Sequence, residues 1–223
     1  MKEFVVHTIP GSPYGRAVLA TLEEKGARYR LDAMTPQQMR SPEHVALHPF
    51  GRLPILGHGD FRLYETQAIV RYLDRVCAGP ALTPPDPESA ARMDQLLNVN
   101  DWYLFQGGAA TIGFQRVVGP KLLGMSTDEA AVAAALPRTQ VAIDVIAREL
   151  GKRPYLVGDA VTLADLVIGP QLAFLAVTPE WATLAKSHAN LERWLERMNS
   201  RPCMQATTWE RVAALAAPLK QAS

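Results

Sequence analysis

A serine close to the amino terminus stands where it could act on a bound thiol. Ser12 opens the stretch Ser12-Pro13-Tyr14-Gly15-Arg16, between a short apolar run and a helical pattern. A loop that joins a strand to a helix gathers backbone N–H groups and the positive end of the helix dipole, which stabilise an anion. A hydroxyl there can donate to sulfur and lower a thiol pKa from its usual value of about 8.5. Alternatively Ser12 only caps the helix, since serine before proline is an ordinary start signal.

Two dipeptides further along the chain could hold a small peptide. Leu53-Pro54 follows a loop, and a cis bond at Pro54 would turn the Leu53 backbone outward for pairing with an extended peptide. At Glu65-Thr66 the next helix begins, so Thr66 and the helix N–H groups could hold a carboxylate while Glu65 holds an ammonium group. The alternative is that Thr66 is a cap and Glu65 a first-turn acid. Together the dipeptides favour a peptide ligand with an amine and carboxylates.

The elements that would position these residues follow the order β-α-β-α-β-β-α. Strands are predicted at short apolar runs, 4–6, 29–31, 53–56 and 61–63. Helices are predicted after Ser12, after Ser41 and from Thr66, and a turn at 57–60 joins the last two strands. The first two strands should be parallel, as in a βαβ unit.

The segment 78–88 contains four prolines and separates this region from a helical remainder. We therefore predict a domain at 1–77, a linker at 78–88 and an all-helical domain at 89–223. Pro137 is expected to kink its helix or to shift the start. Thr162 and Asp165 have the spacing of a capping box, a folding device. The predicted helices are 89–107, 127–150, 162–176, 189–199 and 208–217.

Composition excludes several classes of function. The chain has 223 residues and a formal net charge of +1, so it lacks the excess of positive charge that favours binding to nucleic acid or to an anionic membrane. Its two cysteines, Cys77 and Cys203, form no disulfide framework and no zinc motif, which favours a reducing compartment and no metal. The apolar stretch 163–177 is interrupted by polar residues, glycine and proline, so we expect a cytoplasmic protein without a membrane span.

These landmarks resemble the cytosolic glutathione transferases of the serine type, the bacterial, theta-like or phi-like members. The resemblance is carried by Ser12 to Arg16, by Ser41-Pro42-Glu43-His44, by the run His48-Pro49-Phe50-Gly51-Arg52-Leu53-Pro54, and by Glu65-Thr66-Gln67-Ala68-Ile69. The run 155–165 looks like the capping element of the helical domain in that family. The resemblance implies an α/β thioredoxin-like domain followed by an all-α domain, a homodimer, and glutathione as co-substrate.

By the same resemblance, the site residues receive roles. Ser12 would contact the glutathione sulfur, with Tyr14 as its rival because the loop alignment can slip. Leu53, beside Pro54, would pair with the cysteinyl backbone, and Glu65 with Thr66 would hold the γ-glutamyl end. The glycyl end would meet two arginines, Arg40 and Arg52, either of which could instead be a solvated surface residue.

A second, hydrophobic substrate is expected between the domains. Its predicted contacts are Tyr14, Tyr103, Phe105, Gln106 and Phe114. The favoured function is thiolate attack on a hydrophobic electrophile, as in detoxification. Two alternatives are a glutathione-dependent isomerase or dehalogenase with the same thiolate, and a non-catalytic binding module of the same fold.

Overall fold

The computed structural model describes residues 2–216, which form two compact units. One unit contains the chain up to Thr83 and again from Ser200, and the other is Pro84–Asn199. This division departs from the predicted domain at 89–223, because the chain from Ser200 belongs with the first unit.

A four-stranded sheet in the order β2-β1-β3-β4 forms the centre of the first unit. The parallel pairing of β1 with β2 confirms the predicted βαβ unit. Strand β3 begins two residues later than predicted, after Pro54, which has no N–H to donate to a strand ladder. It then extends through His58, so the turn is confined to Gly59 and Asp60. The strands are β1 (Phe4–Thr8), β2 (Tyr29–Ala33), β3 (Ile55–His58) and β4 (Phe61–Tyr64).

Three helices complete the predicted β-α-β-α-β-β-α order. Serine caps two of them: the Ser12 hydroxyl accepts from the Gly15 N–H, and the Ser41 hydroxyl accepts from the His44 N–H. Each cap is followed by proline, whose missing N–H costs nothing at the first helical position. The helices are α1 (Pro13–Glu24), α2 (Pro42–Leu47) and α3 (Thr66–Val76), with a short 3₁₀ turn at Gln38–Arg40 before α2.

The second unit is helical. Its elements are α4 (Pro87–Asn98), α5 (Ala110–Gly113), α6 (Gly119–Leu123), α7 (Glu129–Leu150), α8 (Leu163–Leu175), α9 (Trp181–Leu184) and α10 (Ala189–Asn199). π-Helical segments, Val99–Ala109 and Phe114–Val118, connect α4 to α5 and α5 to α6. The predicted helix 89–107 ends where the backbone of Gly108 leaves helical geometry, with φ of 176° and ψ of −31°. The helical chain beyond Gly108 was not predicted.

Helix α4 begins inside the predicted linker 78–88. Asp86 caps it by accepting from the Ser89 N–H at 2.8 Å, and Pro87 occupies the first helical position. Proline is unfavourable inside a helix but well suited to this position. The last prolines of the linker therefore start a helix instead of preventing one.

Helix α7 begins at Glu129 and continues past Pro137, which lies inside it. Among residues 2–216 it is also the one helix long and apolar enough to cross a membrane. Core helices of soluble proteins pass the same test, and α7 has a buried face that includes Ile143, Ile146 and Leu150. That face packs chiefly against the π-helical segment Val99–Ala109, so the length of α7 does not by itself indicate a membrane span.

Asp165 is fully buried and collects hydrogen bonds from three parts of the second unit. One carboxylate oxygen accepts from the Thr162 N–H at 2.9 Å and the Thr162 hydroxyl at 2.8 Å. The other accepts from the Leu156 N–H and the Trp194 indole, both at 2.9 Å. The predicted bond from Asp165 to the Thr162 backbone is thus confirmed, and the carboxylate also joins α8 to α10 and to the preceding loop.

We expect Asp165→Ala to lower the free energy of unfolding by about 3 kcal/mol or more, because it leaves several buried donors without an acceptor. Urea denaturation measures this loss. Asp159→Ala, at an exposed position of the same loop, should change stability by less than about 0.5 kcal/mol. Equal effects of the two substitutions would contradict the structural role of Asp165.

Two helices return the chain to the first unit, α11 (Pro202–Ala206) and α12 (Trp209–Ala216). The Arg16 guanidinium on α1 donates to the Met204 carbonyl at 3.0 Å. Arg201 forms an ion pair with Glu24 at the other end of α1. Helix α11 was not predicted, and residue 217 of the predicted helix 208–217 lies outside the described residues.

A buried ion pair anchors the chain that leaves α3. The Lys25 ammonium lies 3.0 Å from the Asp74 carboxylate and also donates to the Pro80 carbonyl at 2.7 Å. The second contact of Asp74 is the Leu82 N–H at 2.9 Å. Burial acts to raise the pKa of Asp74, but the hydrogen bonds from Leu82, Thr83 and Lys25 outweigh it and hold that pKa below its usual value.

A depressed native pKa means that Asp74 stabilises the fold above its unfolded pKa of about 3.9 and loses that contribution as pH falls through the native value. We therefore expect acid to destabilise the wild type more than Asp74→Asn. The measurement is urea unfolding at a series of pH values from neutral to acid. Parallel pH profiles for the two proteins would show that Asp74 has no such linkage.

Candidate functional site

The strand register brings three predicted site segments to one edge of the sheet. His7 of β1 pairs with Ile55 of β3, and Ile55 pairs in turn with Tyr64 of β4. Because β3 is antiparallel to both neighbours, the end of β1, the start of β3 and the end of β4 meet there. The segments that adjoin these strand ends carry Ser12, Leu53 with Pro54, and Glu65 with Thr66. We call this the site edge.

Ser12 lies in extended backbone at the start of α1, and its hydroxyl oxygen accepts from the Gly15 N–H at 3.1 Å. The capping role considered from the sequence is therefore real. It uses only the acceptor side of the hydroxyl: within residues 2–216 the Ser12 O–H donates to no acceptor. A hydroxyl can donate and accept at once, so Ser12 can cap α1 and still offer a hydrogen bond to a ligand.

The loop around Ser12 is held by close packing from both sides. Gly15 faces the buried side chain of Thr8, and a Cβ at Gly15 would clash with that hydroxyl. Gly11, with φ of +87°, lies against the Trp209 ring of α12, and a Cβ there would stand 2.8 Å from the ring. The sequence analysis missed Trp209, because nothing in its local pattern indicates contact with residues near the amino terminus.

Leu53 and Pro54 form the second segment of the site edge. Their peptide bond is cis, as the sequence suggested. Pro54 is buried and Leu53 is half-buried. Within the described residues, neither the N–H nor the carbonyl of Leu53 makes a backbone hydrogen bond. Both groups are thus available to an extended peptide.

Glu65 has an unusual backbone conformation, with φ of 70° in a residue that is not glycine. Such conformations cost of order 1–3 kcal/mol and are concentrated at functional sites. The Glu65 side chain is exposed, and the structure of residues 2–216 gives its carboxylate no hydrogen bond or ion pair. Thr66, largely buried, is the first residue of α3 and not its cap, so its hydroxyl stands beside the free N–H groups of the first turn.

Arg40 and Arg52 both have exposed side chains. Arg40 ends the 3₁₀ turn that follows β2, and β2 runs parallel to β1, so this segment also leaves from the site edge. Arg52 immediately precedes Leu53. Neither guanidinium has an ion-pair partner among residues 2–216, so both are available to a carboxylate.

Beneath Arg52 lies a pair of buried histidines that the sequence analysis did not single out as functional. His44 and His48 are each 2% exposed, with ring centroids 6.3 Å apart. The His48 ring also contacts the Tyr64 ring at 4.6 Å. Burial, aided by nearby His44 and Arg52, lowers the pKa of His48 from its usual value. The sequence does contain a signal for this pair, because two histidines four residues apart lie on the same face of a helix.

Comparisons with known proteins match both parts of the chain to one family. Residues 6–81 match the glutathione S-transferase N-terminal domain, and residues 105–202 match the C-terminal domain. The chain belongs to the glutathione S-transferase family. Glutathione S-transferase F10 of Arabidopsis thaliana is 31% identical over 89% of this chain and 91% of its own length.

Solved glutathione transferases share the fold. The apo structure of glutathione S-transferase III has a TM-score of 0.82 at 31% identity, over 96% of this chain and 97% of that one. Glutathione S-transferase I from maize, in complex with an atrazine glutathione conjugate, has a TM-score of 0.80 at 29% identity, over 97% of this chain and 99% of that one. The thioredoxin-like first domain, the helical second domain and the glutathione transferase activity predicted from the sequence are confirmed.

The predicted electrophile contacts of this transferase are divided between the two units. Tyr14 is half-buried in the first turn of α1. In the second unit, Tyr103 is 66% exposed and Phe114 is 37% exposed, while Gln106 is exposed and Phe105 is half-buried. Trp102, next to Tyr103, is 63% exposed and was not among the predicted contacts. Large exposed aromatics on a π-helical segment are surfaces that a hydrophobic ligand can cover.

The conformation of Glu65 predicts a difference between two substitutions. Glu65→Gly should give a protein about 1 kcal/mol more stable than Glu65→Ala, because glycine adopts positive φ without the strain that a Cβ causes. Thermal and urea unfolding of the two variants measure the difference. At Gln67, in ordinary helical backbone, the same pair should show alanine as the more stable residue by a similar amount. Equal stability of the two Glu65 variants would refute strain at this position.

Proposed function

We propose that Ser12 stabilises the thiolate of glutathione in this glutathione transferase. The observation that carries the proposal is the Ser12 hydroxyl, whose hydrogen has no acceptor among residues 2–216 at the very start of α1. The hydroxyl and the positive end of the α1 dipole favour the anionic form of a sulfur placed there, which lowers the thiol pKa.

The reaction follows from that thiolate. The glutathione thiol loses its proton to solvent, and its sulfur forms a bond to the electrophilic carbon of the second substrate. The bond from that carbon to the leaving group breaks, and the leaving group departs with the electron pair. The protein contributes position and charge stabilisation, and the serine keeps its own proton throughout.

The rest of the site edge would bind the peptide. The free backbone groups of Leu53 are suited to pair with the cysteinyl residue of glutathione, as an added strand does. The unpaired carboxylate of Glu65 can take the γ-glutamyl ammonium group, while Thr66 and the α3 N-terminus take the carboxylate. Arg40 and Arg52 would attract the glycyl carboxylate.

For the second substrate we propose a hydrophobic electrophile in contact with the predicted side chains, Tyr14, Tyr103, Phe105, Gln106 and Phe114. The maize enzyme in complex with an atrazine glutathione conjugate supports this substrate class. We further propose a cytoplasmic homodimer that acts in detoxification, as the family resemblance implies. Light scattering of the purified protein distinguishes dimer from monomer.

Ser12→Ala should lower kcat/KM for glutathione and a chlorodinitrobenzene roughly 10- to 100-fold, the value of a hydrogen bond to a charged group. It should also raise the pKa of the bound thiol, followed by thiolate absorbance in a pH titration. Tyr14→Phe is the matched control, because it removes the rival hydroxyl from the same loop, and its activity should stay within about twofold of wild type. Loss of activity in Tyr14→Phe with full activity in Ser12→Ala would assign the sulfur contact to Tyr14.

A further inference from the structure

The buried side chain of His44 makes a directed contact that the proposed mechanism does not use. Its Nε2 lies 2.9 Å from the carbonyl oxygen of Arg52, eight residues later. A carbonyl only accepts hydrogen bonds, so Nε2 must carry the hydrogen and donate it. The other ring nitrogen, Nδ1, is buried with no hydrogen-bond partner within residues 2–216. The His44 ring therefore makes one directed hydrogen bond, from Nε2 to the Arg52 carbonyl.

The backbone of His44 is also held by hydrogen bonds on both sides. Its backbone N–H is bound by the Ser41 hydroxyl at 3.2 Å, and its carbonyl accepts from the His48 N–H at 2.8 Å. The two histidine rings stack with an interplanar angle of 24°. His48 in turn contacts Tyr64, the residue before Glu65. The His48 ring thus connects the end of α2 to the residue that precedes Glu65.

We infer that His44 is a positioning residue for glutathione binding, acting through the Arg52 carbonyl on the backbone of Leu53. This inference rests on the proposed function of Leu53 as the partner of the glutathione backbone. The Arg52 carbonyl belongs to the peptide unit that also contains the Leu53 N–H. A hydrogen bond that fixes the plane of this unit therefore fixes the direction in which Leu53 presents its donor.

The role of His44 lies in its N–H and not in its volume. A phenylalanine ring would fill nearly the same space, yet it would leave the Arg52 carbonyl without the one donor that the described residues give it. An unpaired carbonyl turns toward water and takes its peptide unit with it. The affinity for glutathione would then fall, while the sulfur chemistry at Ser12, on a different segment, would continue.

The test compares His44→Phe, which removes the donor, with His44→Gln, whose longer amide can restore it. Val45→Ala is the matched control on an exposed position of the same helix. For His44→Phe we expect the KM for glutathione to rise about tenfold, with kcat and the KM for a chlorodinitrobenzene within about twofold of wild type. His44→Gln should return the KM for glutathione to within about threefold of wild type. Should His44→Phe not fold, His44→Asn replaces it, because the asparagine amide is too short to reach Arg52.

Hydrogen exchange of the ligand-free protein gives a readout that does not depend on glutathione. The Gly51 amide, which donates to the His48 carbonyl at 2.8 Å, should exchange faster in His44→Phe than in wild type and Val45→Ala, because the segment 51–53 has then lost its anchor. Unchanged exchange and an unchanged KM in His44→Phe would overturn the inference, as would a loss confined to kcat. If the wild type fails to bind glutathione by calorimetry, the proposed function falls, and faster exchange in His44→Phe would still establish His44 as the residue that fixes this segment.

Discussion

Strand β3 runs antiparallel to both of its neighbours, and its pairing brings distant parts of the chain to one place. The pairing places His7, Ile55 and Tyr64 side by side. The segment after β1, the segment before β3 and the segment after β4 therefore lie at the same edge of the sheet. A slip of one residue in either pairing would turn the buried side chains of β3 to the opposite face, and the core would not accept it. The packing of Ile55 and Leu56, both fully buried, therefore also determines where the site residues stand.

Local signals in the sequence were sufficient for most elements of the fold. Ser12 and Ser41 each precede a proline, and both cap helices as that pattern predicts. The helical chain between Gly108 and α6 was missed because its glycines are locally unfavourable to helix. At Gly108 the helical geometry is interrupted, and α7 packs so closely there that a Cβ would stand 2.5 Å from the Ala135 carbonyl oxygen and 2.3 Å from the Thr139 hydroxyl. Such an approach has no signature in the segment itself.

The candidate site was likewise predictable in part from the sequence. Ser12, Leu53 and Glu65 could be found because each stands at the junction of two elements, where backbone groups are free to bind a ligand. The supporting residues could not be found this way. His44 acts on Arg52 and Trp209 packs on Gly11 through contacts that depend on the completed fold. The sequence thus indicated the groups that are proposed to face the ligand, and it gave no sign of the residues that hold their segments in place.

The return of α11 and α12 to the first unit makes that unit discontinuous along the chain. During synthesis, all four strands of the first unit are made before the helical unit. The residues that contact α1 from α11 and the chain before it are made only after the helical unit: Arg201 pairs with Glu24, and the Met204 carbonyl accepts from Arg16. During synthesis one face of α1 consequently stays uncovered while the second unit forms. The loop that holds Ser12 receives the Trp209 ring only after the whole helical unit has been synthesised, so the site edge is completed after that unit.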